Sequence, residues 1–402
     1  MTALEKARSR FEKGVLAAAY VSALGNLLSN VMPLLLGALA DRYGLSDGAL
    51  GQFNAAFIAA TMITGLSAPY WVPRFDWRVT NYLAIAGAVA ALVLGTGATT
   101  IATLLILFAA LGLFLGALLP TSFAALGETR FPNRSYATGV TMQSILAAVA
   151  NIGISVVLIP YWGVSGILLG LALMIASGAI AIRRHPRGGV APPAPASDCS
   201  TPRGHLLTRA ALPAMLTLLA IALIIGGIQG YWAFVERIGV GHGLAAEAIA
   251  ATLSLCALAS IVNSAVVAWI GDRVHALAII VAGTAIVNLS FFLLTFPGIV
   301  PFVASNILFA SAFGLLVPSY WAVLKRVDAT DRLFVAGPAA ASAGAVAVSL
   351  VAGTVIGAGG YIGLTIFDGA LTMAAALLAI VAGAAMNRAR MRDEREGGGQ
   401  PA

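Results

Sequence analysis

Charge is in short supply in this chain. Asp, Glu, Lys and Arg together make up 10% of its 402 residues, against roughly 25% in soluble domains. That is too little polar surface to keep a protein of this length in water. Cysteine is nearly absent: Cys199 lies in a polar stretch and Cys256 in an apolar run, which excludes a disulfide framework and a thiolate metal site. The four histidines, His185, His205, His242 and His275, are scattered. With no His-Glu-x-x-His pair and no glycine-lysine loop to cradle phosphate, the chain reads as a non-enzyme that needs no metal or cofactor.

What is present is hydrophobic sequence, 60% of the whole. Runs long enough to cross a hydrocarbon core of about 30 Å, which takes roughly 20 helical residues, lie near 14–38, 50–72, 79–99, 101–123, 136–160 and 162–182. They resume near 210–234, 246–270, 276–296, 300–323, 334–357 and 361–386. The expectation is an all-α integral membrane protein with twelve spans in two six-helix bundles, 14–182 and 210–386. The first span is too long for a signal-peptide core and has no obvious cleavage site, so it reads as retained. Residues 1–13 form an N-terminal tail and 387–402 a polar, disordered C-terminal tail. Between the bundles, 183–209 carries Pro186, Pro192, Pro193, Pro195 and Pro202 among five arginines, the composition of an extended linker.

Bases outnumber acids, 23 to 16. With both termini on one side, every lysine and arginine except Arg42 and Arg237 falls on that side, which the positive-inside rule makes cytoplasmic. Basic loops meeting anionic lipid account for the excess, so nucleic acid is not an implied partner. The implied location is the inner (cytoplasmic) membrane, multi-pass, with both termini cytoplasmic.

The chain also repeats itself. Pro120 to Gly139 matches Pro318 to Gly337 in register at Pro, Ala, Leu, Arg and Gly, 198 residues apart. Asp41-Arg42-Tyr43-Gly44-Leu45 recurs 195 residues later as Glu236-Arg237-Ile238-Gly239-Val240. Duplicated halves in a membrane protein place a binding site at their interface.

Two six-helix halves, a long cytoplasmic central loop and inside termini resemble the major facilitator superfamily of secondary transporters over essentially the whole chain. The family's loop signature between spans two and three aligns with Pro69 to Arg78, where Arg74 and Arg78 survive and Pro73 replaces the aspartate. The second-half counterpart, Trp269-Ile270-Gly271-Asp272-Arg273, keeps both acid and arginine. The resemblance implies a gating role for Asp272 and Arg273, and a weaker one for Arg74 and Arg78. The repeat-related Arg134 and Arg332 join them as candidate gate latches or as orientation determinants. The signature-like Gly37 to Gly44 faces the other side of the membrane on this topology and is set aside as a chance likeness. Gly112, Gly116 and Pro120 follow the family's fourth-span pattern, but Phe108 stands where an arginine is usual. The family's fifth-span glycine-proline motif is absent from 136–160, which argues against a typical multidrug exporter.

Asn26, Asn30, Pro33 and Gly37 share one face of the first helix. Gln229 and Trp232 share a face of the seventh, with Tyr231 beside them. In the resembling family these helices line a central cavity, which makes these amides and aromatics substrate contacts; interhelical hydrogen bonding is the alternative use. Gln143 and Asn151 on the fifth helix, Asn263 on the eighth and Asn306 on the tenth are further candidates. Asp368 is the one acid that falls clearly inside a span. There an ionised carboxylate costs at least about 2.5 kcal/mol, which suits either a proton-coupling group or an interfacial residue of a helix that starts later. The reading is a secondary transporter that moves a small neutral or amphipathic organic solute by alternating access, coupled to protons and working as a monomer. An uncoupled facilitator and a transporter-like sensor or scaffold without flux are the rivals.

Overall fold

A computed structural model describes residues 3–129, 132–188, 212–270, 274–328 and 332–397. Lipid offers backbone amides no partners, so an apolar run can cross it only by bonding to itself as a helix. The described residues are accordingly helical: α1 Ala3–Tyr43, α2 Asp47–Trp71, α3 Trp77–Gly95, α4 Ile101–Gly127, α5 Pro132–Gly153, α6 Ile159–Ile182, α7 Leu212–Gly241, α8 Ala246–Ile270, α9 Ala276–Leu293, α10 Ile299–Val327 and α11 Arg332–Gly397. Short polar turns start several of them. Ser46 accepts the Ala49 amide, Asp76 the Arg78 amide at 2.7 Å, and Thr100 the Thr103 amide at 3.1 Å, each satisfying an amide that has no partner within its own helix.

Two apparently continuous helical runs fold back on themselves. A π-helical turn, Ile154–Leu158, joins α5 to α6, and at Gly163 the backbone takes φ 56° and ψ −146°. Beyond it, a β-carbon placed on Gly166 would lie 2.9 Å from the Leu158 carbonyl oxygen, and one on Gly170 would meet the Leu158 side chain. Residues 12 apart in an uninterrupted helix are about 18 Å apart, so the chain has reversed. Gly360 does the same within α11, at φ 64° and ψ −167°. It follows Gly163 by 197 residues, which extends the repeat to backbone conformation. Only glycine takes this region without strain. Tyr161 and Trp162 project from the first fold-back with 75% and 64% of their surface exposed, as interfacial aromatics do.

Nine stretches among the described residues are long and apolar enough to cross a membrane. Two of these are the folded-back pairs, and Ala246–Ala259 of α8 is a shorter apolar helix. α1 is the most enclosed of the apolar helices, with 78% of its apolar window buried, and it packs against helices of both halves. Other helices turn Leu173, Ile180 and Val300 outward, as lipid-facing surfaces require. Contacts between the halves run α1 to α7, α2 to α11 and α5 to α8.

The C-terminal tail departs from the expected disorder. Residues 3–13 continue α1, and the polar C-terminal stretch continues α11 to Gly397, because Ala389, Arg390, Met391, Arg392 and Glu394 are strong helix formers whatever their polarity. The start of the linker is packed as well. Arg78 Nε donates to the His185 carbonyl at 2.6 Å, the Trp77 amide donates to Gly188, and the Trp77 and His185 rings meet edge-on at 6.5 Å. Residues 183–188 therefore strap back onto the turn before α3.

Burial holds the His185 imidazole below its usual value, and Arg78 adds to this; its bond to Pro186 and the nearby Asp76 act the other way. A lowered folded value means that the strap favours neutral His185. Its contribution is complete above the unfolded value of about 6.5 and is lost as pH falls from there through the folded value. Amide hydrogen exchange of 183–188, corrected for intrinsic rate, should speed up below about pH 6 and lose that pH dependence in His185→Asn.

Candidate functional site

Between the halves, at mid-depth, lies a cavity of about 330 Å³. α1 contributes Asn26, Ser29 and Asn30, and α5 contributes Gln143, Ala147 and Asn151. From the other half come Ile228, Gln229 and Trp232 of α7, Leu253, Cys256 and Ala257 of α8, and Phe309, Ala310 and Phe313 of α10. Helical spacing does the positioning: Asn26 and Asn30 are one turn apart, as are Phe309 and Phe313, and Gln229 and Trp232 are three residues apart.

The chemistry is divided between the two walls. The first half supplies four carboxamides, while the second supplies one carboxamide, three aromatic rings, aliphatic groups and a thiol; no lining residue carries a formal charge. The amide groups of Asn26 and Asn30 donate to backbone carbonyls one turn back, Ser22 at 3.4 Å and Asn26 at 3.1 Å, so each is oriented by its own helix. Asn151 is 1% exposed and its Oδ1 has no hydrogen-bond partner. Trp232 Nε1 donates across the interface to the Ser29 carbonyl at 2.9 Å, and its ring lies within 4° of parallel to Phe309. Trp232 is thus both aromatic wall and strap between α1 and α7.

Six of the nine proposed solute contacts, Asn26, Asn30, Gln143, Asn151, Gln229 and Trp232, meet in this cavity. Tyr231 and Asn306 do not line it. Tyr231 points behind α7, fully buried against Phe291 and Phe309 at 5.4 and 4.5 Å, since one residue along a helix is a rotation of about 100°. Asn306 is buried and donates to Phe302 at 2.9 Å. The side chain of Asn263 lies outside the described residues. Phe108, at the site where the family usually has an arginine, is a packing residue stacked on Phe53 at 5.3 Å. Ser29, Cys256, Phe309 and Phe313 were missed; Phe309 and Phe313 sit three and seven residues past Asn306, a spacing that marks a helical stripe but does not say which face it is.

Beyond Trp232, away from the linker, the halves are latched. Arg237 on α7 reaches α1, where it donates to the Gly37 carbonyl and pairs with Asp41 at 2.8 Å, while its Nε stands 3.1 Å from Glu236. Tyr361 donates to Asp47 at 3.2 Å, and Asn54 to Ser349 at 3.0 Å. These are the two members of the acid-arginine repeat, Asp41-Arg42 and Glu236-Arg237, brought face to face. The stretch set aside as a chance likeness is therefore half of a junction between the bundles.

The gate residues drawn from the loop signature do not converge in this way. Arg74 is exposed and donates to the Tyr70 carbonyl, Arg78 holds the linker strap within its own half, and Arg134 is exposed at the start of α5. Asp272, Arg273 and the side chain of Arg332 lie outside the described residues.

Asp368 is fully buried on the second arm of α11, and neither carboxyl oxygen has a hydrogen-bond partner. The helix does not start late: the fold-back at Gly360 leaves Asp368 eight residues, about 12 Å, along this arm. Asp368 does not line the cavity. It lies on the other side of α7, where a β-carbon on Gly230 would come 2.8 Å from Oδ2 and 2.9 Å from Cγ.

No family model matches the sequence, and no curated protein does. Solved structures do. A mutant of the nucleoside transporter NupG superposes with a TM-score of 0.70 at 13% identity, over 92% of this chain and 99% of the other. A bacterial homologue of the human lysosomal transporter Spinster, inward-facing and occupied, gives 0.70 at 13% identity over 93% and 97%; its inward-facing, unoccupied form gives 0.63 at 14% over 94% and 98%.

Proposed function

We propose that this chain, which has the fold of the major facilitator superfamily, is a twelve-span secondary transporter that moves a small neutral or amphipathic organic solute by alternating access. The observation that carries the proposal is the cavity: carboxamides of one half face aromatics of the other across the interface that must open and close. An uncharged lining suits a solute without fixed charge, its polar groups met by amides and its apolar body by Trp232, Phe309 and Phe313. With the linker end cytoplasmic, as the arginine distribution argues, the latch closes the outer face and the conformation is outward-closed. Asp368 is the coupling carboxyl of this reading, and the chain works as a monomer in the cytoplasmic membrane.

A thermal-shift screen of the purified protein with neutral solutes tests the site. Nucleosides head the panel, given the solute named for NupG, followed by sugars and small amphiphiles. A hit should be carried in proteoliposome counterflow. Removing one buried carboxamide partner costs about 1–3 kcal/mol, so Asn30→Ala and Gln229→Ala should each weaken it about fivefold or more. A hit whose affinity and counterflow ignore both substitutions would place the solute elsewhere.

A further inference from the structure

The Asp368 carboxyl has an unusual seat. It is pressed onto the backbone of α7, where glycine recurs at Gly226, Gly227 and Gly230, and no side chain intervenes. A β-carbon on Gly227 would lie 2.9 Å from the Asp368 carbonyl oxygen, and one on Gly230 would run into the carboxyl itself. Beside this seat, Asn288 of α9 donates to Thr372 at 3.0 Å, and Thr372 donates to the Gly369 carbonyl at 2.8 Å. Those polar groups are occupied with one another, while both Asp368 oxygens have no partner. The opposite face of the same α7 segment carries Gln229 and Trp232 into the cavity. Two turns further along, α7 carries Arg237 into the latch.

From this arrangement we infer that Asp368 is a proton-binding switch acting on the solute cavity from outside it, through the glycine face of α7, with Gly230 as its positioning residue. This rests on the transport reading above. A fully buried carboxyl whose oxygens have no protein partner is tolerated only when neutral, so on this inference the latched packing belongs to the protonated state. Loss of the proton leaves a charge that must reach water or a donor, and the carboxylate can do so only by parting α11 from α7. Because α7 also carries Trp232 to Ser29 and Arg237 to Asp41, that movement strains both bridges between the halves. Deprotonation therefore favours unlatching and protonation favours closure.

Other ionisable groups on the packed elements are few. On α7 they are Tyr231, next to Gly230, and Glu236 and Arg237, which belong to the latch. α9 has none. α10 brings Tyr320 and, at its linker end, Lys325 and Arg326. On α11 itself, Tyr361 is bonded to Asp47.

Pulsed electron-electron resonance between spin labels on Thr99→Cys and Ala245→Cys, in a chain with Cys199→Ser and Cys256→Ala, reads the distance across the latch end with protons as the only ligand. In proteoliposomes, a short-distance population should dominate at about pH 5.5, and one longer by about 5 Å or more should grow by about pH 8.5. Asp368→Asn, neutral at every pH, should hold the short distance throughout as long as no solute is bound. Gly230→Ala, whose methyl displaces the carboxyl from its buried seat, should show the long population even at the acidic pH. A pH-invariant distribution in the parent, a shift that survives Asp368→Asn, or a shift set by Na⁺ at constant pH would each overturn the inference. Gly230→Ala behaving as the parent would remove the α7 route. A pH-driven distance change in a protein that carries no solute would instead defeat the transport reading and leave the switch standing.

Discussion

Asp368→Asn abolishes accumulation of solute driven by a pH gradient and leaves counterflow intact. The amide matches the carboxyl in size and, in a seat that tolerates only the neutral acid, matches its charge, so packing survives. It cannot load and release a proton. A gradient of one pH unit is worth about 1.4 kcal/mol per proton, enough to hold a solute up to about tenfold above equilibrium at one proton per solute. The Asn variant should stay at a ratio of about one under the same gradient. Counterflow needs only that the loaded carrier exchange sides, so it should continue at a comparable rate. Driven uptake that is unchanged in the variant would exclude Asp368 from coupling, and a parent protein indifferent to any gradient would be an uncoupled facilitator.

The fold was legible because lipid leaves a chain few choices. Scarce charge and long apolar runs dictated helices. Even the fold-backs fall within three residues of the expected gaps at 160–162 and 357–361, because Gly163 and Gly360 stand at those points. The C-terminal tail was misjudged because polarity was taken for disorder, whereas helix propensity does not depend on burial. The strap at 183–188 was invisible for a different reason. Its contacts, Arg78 to the His185 carbonyl and Trp77 to Gly188, join residues about a hundred positions apart, and proline content carries no trace of them.

The cavity was half legible. Asn26, Asn30, Gln143 and Asn151 stand out because a carboxamide inside an apolar run is rare. Phe309 and Phe313 do not, because an aromatic there looks like any lipid-facing or core residue until the neighbouring helix is known. The latch offers the sharper lesson. Its sequence signal was present as the repeat of acid and arginine at Asp41-Arg42 and Glu236-Arg237, and those two arginines were the exceptions to the charge rule. An exception kept in both halves is a sign of use: Arg237 is held by Asp41, Glu236 and the Gly37 carbonyl, and Arg42 donates to Ser165 at 2.9 Å.

The latch also gives direct access to the central claim, that solute crosses because the halves part and rejoin around this cavity. Asp41 and Arg237 touch at 2.8 Å across the interface, so cysteines at both positions, in a background lacking Cys199 and Cys256, can be joined by a short bifunctional thiol reagent. Joined, the latch end cannot open, and solute could reach the cavity only from the linker end. Counterflow should fall by about a hundredfold or more relative to the same double-cysteine protein before cross-linking and return on reduction, while solute binding persists, since the cross-link itself touches no residue of the cavity. Counterflow that continues unchanged in fully cross-linked protein would contradict alternating access, and any other activity that survives the cross-link would identify the chain as a sensor or scaffold built on a transporter's frame.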